Sequence, residues 1–210
     1  MTANPPKINN QLLKNDFESL LGDDWLKLHP DIQQRFSSAH CLQTTIYKGF
    51  MHKVAMSWLG YFFAYICRLL GTPLSYRAGV MVPTEVRVYP DSKRGGTTWD
   101  RFYCFAGNKI NRVRSTKVIL PDCGLIEVAV SGFGMYSKVS VNREAIVFES
   151  QGYFFILGQK KISLPRFLTP GKIVASQRAL NHGRFEFSLF LLHPLFGTIM
   201  QQVGIFREVQ

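Results

Sequence analysis

The chain has 210 residues, a length that suits one sizeable domain. Hydrophobic residues make up 46% of it, with 17 Phe and 8 Tyr, which suffices for a buried core and excludes a disordered chain. The formal net charge of +11 favours anionic partners such as nucleic acid, acidic lipid or acidic proteins. Residues 1–80 hold 8 basic and 5 acidic side chains and residues 81–210 hold 17 and 9, so there is no basic tail.

The N-terminal segment has no features of an export signal. Residues 1–10 are polar and contain two prolines, so we expect a disordered tail there and a single domain over residues 11–210. The four cysteines lack CxxC spacing and nearby histidines at metal-ligand intervals, which predicts buried free thiols and no metal or cofactor. We therefore expect a cytoplasmic protein, with peripheral attachment to the inner membrane as the alternative.

Two short helices are predicted at the start of the domain. Apolar residues recur at steps of three and four from Leu12 to Leu21, and Gly22 ends that helix. Asp31 to Phe36 is the second short helix. Gln43 to Met51, rich in Thr, Ile and Tyr, is the first strand candidate.

A strongly apolar helix is predicted from Trp58 to Leu70. The charge-free run from Val54 to Cys67 spans about 21 Å as a helix, which is shorter than the roughly 30 Å hydrocarbon core of a bilayer. A helix that is apolar on all sides is usually buried in protein, so we expect a core helix. A helix on a membrane surface and a lid over a ligand cavity are the alternatives.

Beyond this helix, the apolar period changes from 3.6 to 2. Short runs rich in β-branched and aromatic residues extend from about Val80 to Phe206 and are separated by Gly, Pro and Asn turns. We count nine or ten strands and no further helix, so the sheet should be antiparallel. The predicted fold class is α+β: N-terminal helices and a large curved antiparallel β-sheet, a barrel or half-barrel, covered by one apolar helix.

Trp99 and Arg101 are the first candidates for a binding site. Their spacing places an indole and a guanidinium on one strand face, where Arg101 is suited to gripping a carboxylate or phosphate. The alternative is an ordinary ion pair on the sheet surface with Glu127. Gly132 and Gly134 lack the third glycine and the following helix of a dinucleotide-binding loop, so a bend between strands is expected there.

Lys109, Arg112, Arg114 and Lys117 form the densest basic stretch of the chain. A solvated outer face is the favoured interpretation, ahead of contact with an anionic membrane. Nucleic acid is an unlikely partner because no aromatic residue separates Arg112 from Arg114 and no RNA-recognition signature is present.

Glu127 and His193 are the candidates for acid–base chemistry. Glu127 lies between apolar neighbours, so it is either a buried carboxylate with a raised pKa or the partner of an arginine. His193 precedes a proline between two strands, where a turn histidine bonded to the backbone is the simpler interpretation. Neither a GxSxG elbow nor an HExxH pair is present in the sequence.

An ordered set of short motifs carries a resemblance to a known family. The set comprises Trp25 to Pro30, Gln33 to Phe36, Gly71 to Leu74, Trp99 to Phe102, Gly124 to Glu127, Gly132 to Met135, Phe148 to Tyr153, Leu164 to Pro165, Pro170 to Gly171, His193 to Gly197 and Gln201 to Phe206. In this order, over about residues 20–206, the chain resembles the bacterial family called domain of unknown function 4166. The resemblance implies a bacterial domain, sometimes joined to dehydrogenase-like or thioredoxin-like partners. It supplies no activity.

The leading functional hypothesis is non-catalytic binding of a lipid-like or other hydrophobic ligand in a cavity of the β-structure. The predicted ligand-binding residues are Trp99, Arg101, Glu127, Met135 and His193. One alternative is an enzyme of unassigned class that acts on a small substrate in the same cavity, with Glu127 or His193 as acid or base. The other is a module that docks on an acidic membrane or a partner enzyme. The sequence gives no indication of oligomeric state.

Overall fold

β-Strands make up most of the chain in the computed structural model, which describes residues 16–69, 74–158, 160–165 and 168–209. The described helices are α1 Phe17–Leu21, a 3-10 helix Gly22–Lys27, α2 Pro30–Phe36, α3 Ser38–Cys41 and α4 Trp58–Leu69. The described strands are β1 Thr45–Met56, β2 Gly79–Asp91, β3 Gly96–Phe105, β4 Lys109–Leu120, β5 Gly124–Ala129, β6 Phe133–Asn142, β7 Ala145–Leu157, β8 Lys160–Ser163, β9 Lys172–Leu180, β10 Arg184–His193 and β11 Gly197–Val209.

Ten of these strands close into an antiparallel barrel. Their order around the sheet is β6-β5-β4-β3-β2-β1-β11-β10-β9-β7, and the pairing of β6 with β7 closes the ring. Met135 of β6, for example, lies opposite Glu127 on one side and Tyr153 on the other. β8 extends the end of β7 as a short hairpin outside the ring. The predicted fold class is confirmed, and of the two predicted shapes the barrel is observed.

The strand connections divide between two ends of the barrel. The α4 end carries the connections 57–78, 106–108, 130–132, 158–171 and 194–196. The N-terminal end carries residues 16–44 and the connections 92–95, 121–123, 143–144 and 181–183. Successive antiparallel strands alternate in direction, so every second connection falls at the same end.

The N-terminal helices close their end of the barrel with aromatic side chains. Phe17, Ile32 and Phe36 are buried, and the Phe36 ring stacks on that of Trp99 with centroids 5.9 Å apart. The predicted helix Asp31 to Phe36 is confirmed within one residue. The predicted helix Leu12 to Leu21 is described only from Phe17, and its earlier residues and the predicted tail 1–10 lie outside the described residues.

Helix α4 covers the opposite end with one of its faces. Leu59, Ala64 and Cys67 are buried against the barrel. Gly60 permits this approach, because a Cβ there would lie 2.1 Å from the carbonyl oxygen of Ile199. The predicted cover is confirmed, but full burial was wrong: Trp58 on the other face is 73% exposed, since a barrel end contacts only one side of a helix. The predicted end of the helix, from Leu70 to Pro73, lies outside the described residues.

Among the described residues, no helix is both long enough and apolar enough to cross a bilayer.

The cysteines and the Gly132 bend test two smaller predictions. No disulfide joins any of the four cysteines, all of which lie in the described part of the chain, and Cys41 and Cys67 are buried as predicted. The predicted burial of Cys104 and Cys123 is wrong: Cys104 lies on the exposed face of β3 and Cys123 in the turn before β5.

Gly132 adopts a φ of 91° in the turn between β5 and β6, which confirms the predicted bend.

Candidate ligand-binding cavity

A cavity lies inside the barrel and extends toward the α4 end. Its wall is formed by inward-facing side chains of β3 to β7 and β9 to β11, together with Cys67 of α4. Alternation along β3 points Trp99, Arg101 and Tyr103 into this space. Most of the wall is apolar, and its members include Val113, Phe133, Met135, Phe148, Ile173, Phe187 and Leu189.

The cavity is small and continues toward the N-terminal end. Its volume is about 60 Å³, and a second cavity of about 20 Å³ adjoins it. The two share Trp99, Arg101, Gln177 and Phe187 as lining residues. At roughly 10–15 Å³ per water, the larger cavity holds several waters, whereas pockets for drug-sized ligands measure about 300–1,000 Å³. A ligand that fits without movement of the wall is therefore small.

A cluster of four polar side chains interrupts the apolar wall. Lys117 and Ser115 of β4 both donate hydrogen bonds to the carboxylate of Glu127 on β5. Arg101 of β3 donates from Nη1 to Ser115 Oγ at 3.4 Å, and its Nη2 lies 4.0 Å from Glu127 Oε1. The side chains of Arg101, Lys117 and Glu127 are only 12%, 8% and 9% exposed.

The charged state of Glu127 is fixed by its neighbours. Burial by itself raises the pKa of a carboxyl, but the charges of Lys117 and Arg101 and the hydrogen bonds from Lys117 and Ser115 outweigh it. Together they lower the pKa of Glu127 to about 2. Burial lowers the pKa of Lys117, and Arg101 adds to this effect while Glu127 opposes it. The raised pKa considered for Glu127 is wrong. The alternative of an arginine partner is confirmed only as a loose ion pair with Arg101 at 4.0 Å, because the close partner of Glu127 is Lys117.

The cavity wall carries one positive charge in excess. The described residues that line it include two cations, Arg101 and Lys117, and one carboxylate, Glu127. Glu127 forms its close contacts with Lys117, so Arg101 is the less tightly paired cation. Gln177 adds a buried side-chain oxygen, Oε1, with no hydrogen-bond partner. The wall therefore offers a guanidinium and a carbonyl oxygen to a polar group in the cavity.

Arg35 is a further, partly buried cation at the N-terminal end, and its Nη1 atom is buried. Its guanidinium lies 4.0 Å from the ring centroid of Tyr47 and 3.3 Å from that of Phe185, both of which line the second cavity. Burial lowers the pKa of Arg35 to about 10, which leaves it charged at neutral pH. The contact with two aromatic faces ties helix α2 to the barrel wall. In the sequence Arg35 is a single basic residue in a short helix, with no motif that marks it as part of a site.

Four of the five predicted site residues meet at the cavity. Trp99, Arg101, Glu127 and Met135 all line it. His193 lies apart, at the end of β10, where its Nδ1 accepts a hydrogen bond from the backbone N–H of Leu195 at 3.2 Å. Its ring is 5.0 Å from that of Phe196 and does not line the cavity.

The prediction for Lys117 was wrong. It was grouped with an outer basic face, but it belongs to the polar cluster of the cavity. Arg112 and Arg114 do lie outside, where both bind the buried carboxylate of Asp100. Lys117 is four residues after Val113 on β4, so both side chains lie on the same face of the strand and point inward. This could have been predicted from the alternation of side chains along a strand, because residues 112 and 114 lie an odd number of positions from residue 117 and so face the other side.

Metal binding finds no support in the described part of the chain. No group of three or more His, Cys, Asp or Glu side chains there is arranged to hold a metal ion.

The fold and cavity define a class: an antiparallel β-barrel domain closed by helices at both ends, with a charged cluster in an apolar interior. The family model of the domain of unknown function DUF4166 matches residues 28–206, and the chain belongs to this family. The match covers α2 and every barrel strand, with only the last residues of β11 outside it. Comparison with curated proteins gives no match.

Proposed function

We propose that the barrel binds a small amphipathic anion, with an apolar body and one carboxylate or similar acidic group. The observation that carries this proposal is the Arg101 guanidinium, which is nearly buried in an apolar cavity and makes a single described hydrogen bond. A guanidinium has five N–H donors, so Arg101 retains donors for a ligand.

Charge balance gives the second argument. Arg101 is only loosely paired with Glu127, at 4.0 Å, so part of the cost of burying its charge is not offset. An anion that binds beside Arg101 would reduce that cost. Lys117 and Glu127 neutralise one another, so a monoanion at Arg101 would bring the cluster to zero net charge. Planar two-oxygen groups match the donors of arginine best, which favours a carboxylate.

The apolar wall selects the rest of the ligand. Val113, Phe187 and Leu189 line the same cavity as Arg101, and they favour an aliphatic or aromatic body. The volume of about 60 Å³ favours a short ligand. A longer chain would have to extend toward Cys67 and displace α4 or part of the wall.

The enzyme alternative receives less support from the same geometry. Glu127 has a pKa lowered to about 2 and is held by Lys117 and Ser115, so it is poorly suited to donate or accept a proton near neutral pH. His193 is outside the cavity wall and cannot meet a substrate beside Arg101. A binding role without catalysis therefore fits better.

The test compares straight-chain carboxylates from butanoate to dodecanoate with the corresponding alcohols, by isothermal titration calorimetry on the full chain. We expect at least one carboxylate to bind roughly tenfold or more tightly than its alcohol, a difference of about 1.4 kcal/mol. The preference should disappear in Arg101→Met and persist in Arg178→Met, whose guanidinium pairs with Glu186 on an exposed surface. Equal binding of acid and alcohol, or no binding of either series, would refute the proposal.

Native mass spectrometry of the purified protein, before and after organic extraction, identifies a natural ligand. An additional mass that is removed by extraction and absent from Arg101→Met is the expected result.

A further inference from the structure

We propose that the α4 end of the barrel docks on the surface of an anionic lipid bilayer. The first observation is that the exposed apolar side chains are concentrated at this end. Of the residues that the structure describes, sixteen large hydrophobic side chains are exposed. Thirteen of them lie in the connections of the α4 end or within three residues of those connections. Such one-sided exposure is typical of an interaction surface.

Helix α4 and the β10–β11 turn form the centre of this surface. Trp58, Phe62 and Tyr65 follow one another at helical steps of four and three, and they are 73%, 55% and 52% exposed. The Phe196 ring lies 6.3 Å from that of Trp58, and the adjacent Leu195 is 82% exposed. Aromatic rings on one face of a helix are suited to the boundary between headgroups and acyl chains.

The charges at the two ends of the barrel favour contact of the α4 end with an anionic bilayer. The described residues in the connections of the α4 end include four basic side chains and no Asp or Glu. Those of the N-terminal end contain seven acidic and five basic residues. An anionic bilayer therefore attracts the α4 end and repels the other, which fixes the direction in which the barrel approaches.

Individual cations lie beside the apolar side chains. Lys160 and Lys161 are exposed on β8, next to exposed Ile162. The Arg68 guanidinium lies 4.6 Å from the ring centroid of Tyr76, close to the end of α4. A groove of about 300 Å³ at this edge is lined by Arg68, Leu74, Tyr76, Asn111, Arg112, Arg114 and Val130. Arg112 and Arg114 pair with Asp100, so Arg68 is the cation of this groove best suited to a lipid phosphate.

A bilayer fits this surface better than a protein partner does. The exposed apolar side chains protrude from several separate connections around the barrel end, such as Val130, Leu168 and Leu195. A fluid bilayer accepts an irregular ring of protrusions, whereas a specific protein interface needs a complementary packed surface.

The test is sedimentation of the full chain with vesicles of phosphatidylcholine, with and without phosphatidylglycerol. We expect binding to the anionic vesicles and much weaker binding to the neutral ones. Phe62→Glu should weaken binding roughly tenfold or more, and the paired change Lys160→Glu with Lys161→Glu by a similar factor. Leu26→Glu is the matched control, because Leu26 is 81% exposed at the opposite end and its replacement should leave binding unchanged.

Tryptophan fluorescence reports the orientation directly. Trp25 and Trp99 are each 7% exposed, so Trp58 is the one tryptophan of the three at an exposed position. Anionic vesicles should shift its emission to the blue and protect it from iodide quenching, and Trp58→Phe should abolish both changes.

Three results would overturn the proposal: equal binding of both vesicle types, full binding by Phe62→Glu, or vesicle binding without any change at Trp58. So would a wild-type dimer that Phe62→Glu converts to a monomer and that ignores vesicles, which would assign the surface to a second copy. Arg101→Met should bind vesicles like the wild type, so docking and cavity binding can fail separately.

Discussion

The Arg101 guanidinium lies 4.0 Å from the Glu127 carboxylate, beyond hydrogen-bond reach, although both side chains are nearly buried inside the barrel. Lys117 contacts the same carboxylate more closely, and the Ser115 hydroxyl donates to it as well. The Glu127 carboxylate is thus paired mainly with Lys117, and Arg101 is the cation of the cluster best placed to bind an anion. The stability of this interior and the proposed binding of an anion depend on the same three charges.

Removing the carboxylate should strongly destabilise the barrel. Glu127→Gln leaves Lys117 and Arg101 as two buried cations without a counter-charge, and we expect the free energy of unfolding to fall by about 3–5 kcal/mol. Urea denaturation monitored by circular dichroism measures this. Glu149→Gln is the control, because Glu149 pairs with Lys172 at the surface and should contribute at most about 1 kcal/mol. Equal losses in the two variants would contradict the assigned role of Glu127.

Removing the charge of Arg101 should leave the stability of the barrel nearly unchanged. Arg101→Met leaves Lys117 and Glu127 as a neutral pair, so we expect the free energy of unfolding to stay within about 1 kcal/mol of the wild type or to rise. Chemical denaturation under the same conditions tests this. A loss as large as that of Glu127→Gln would mean that Arg101 is a structural partner of Glu127 and is not held in reserve for a ligand.

The low pKa of Glu127 predicts a specific pH dependence. The folded pKa of about 2 lies below the ordinary value of 4.5, so the carboxylate stabilises the fold fully above about pH 4.5. That contribution is lost as the pH falls from 4.5 toward 2. The difference in unfolding free energy between wild type and Glu127→Gln should therefore shrink across this window. A difference that is constant or grows on acidification would show that Glu127 is not an ionised partner in the folded state.

Filling the cavity should block the ligand without unfolding the protein. Ala175 of β9 lines the cavity, and Ala175→Leu should abolish carboxylate binding while costing about 1–3 kcal/mol from overpacking. Titration calorimetry and thermal unfolding measure the two effects. Val174→Leu, on the opposite face of the same strand, should leave binding unchanged. Full binding by Ala175→Leu would place the ligand elsewhere.

The aromatic closure of the N-terminal end should be an essential part of the fold. The Phe36 ring is buried between Trp99, Phe17 and Phe148, with centroids 5.1–5.9 Å away. Phe36→Ala should lower the free energy of unfolding by about 3–5 kcal/mol, whereas the exposed Leu26→Ala should change it little. Similar small effects from both variants would mean that the barrel is stable without its N-terminal helices.

The barrel could be predicted from the sequence because its signals are local. The alternation from Val80 onward and the Gly, Pro and Asn turns between the runs each depend on a few neighbouring residues, and no crossover helix interrupts them. Closure of the barrel is different, because it depends on β6 pairing with β7 as well as with β5. The residues of a strand do not show which strand will pair with its second edge. The barrel and the half-barrel were therefore both compatible with the sequence.

The site was only partly predictable for a related reason. Alternation placed Trp99 and Arg101 on one face, but it did not say that Glu127 would reach Lys117 from the next strand. The outward face of α4 was missed because an all-apolar helix normally implies burial on all sides. Its exposure follows from its place at the end of a barrel, which is a property of the whole fold.

The most direct test of an anion-binding interior is a crystal structure of the protein with butanoate, the shortest acid of the titration series. We predict that the butanoate carboxylate lies within hydrogen-bond distance of the Arg101 guanidinium, with its alkyl group against the apolar wall of the cavity. Butanoate bound only on the outer surface, or a barrel interior that holds only water at a saturating butanoate concentration, would contradict the account.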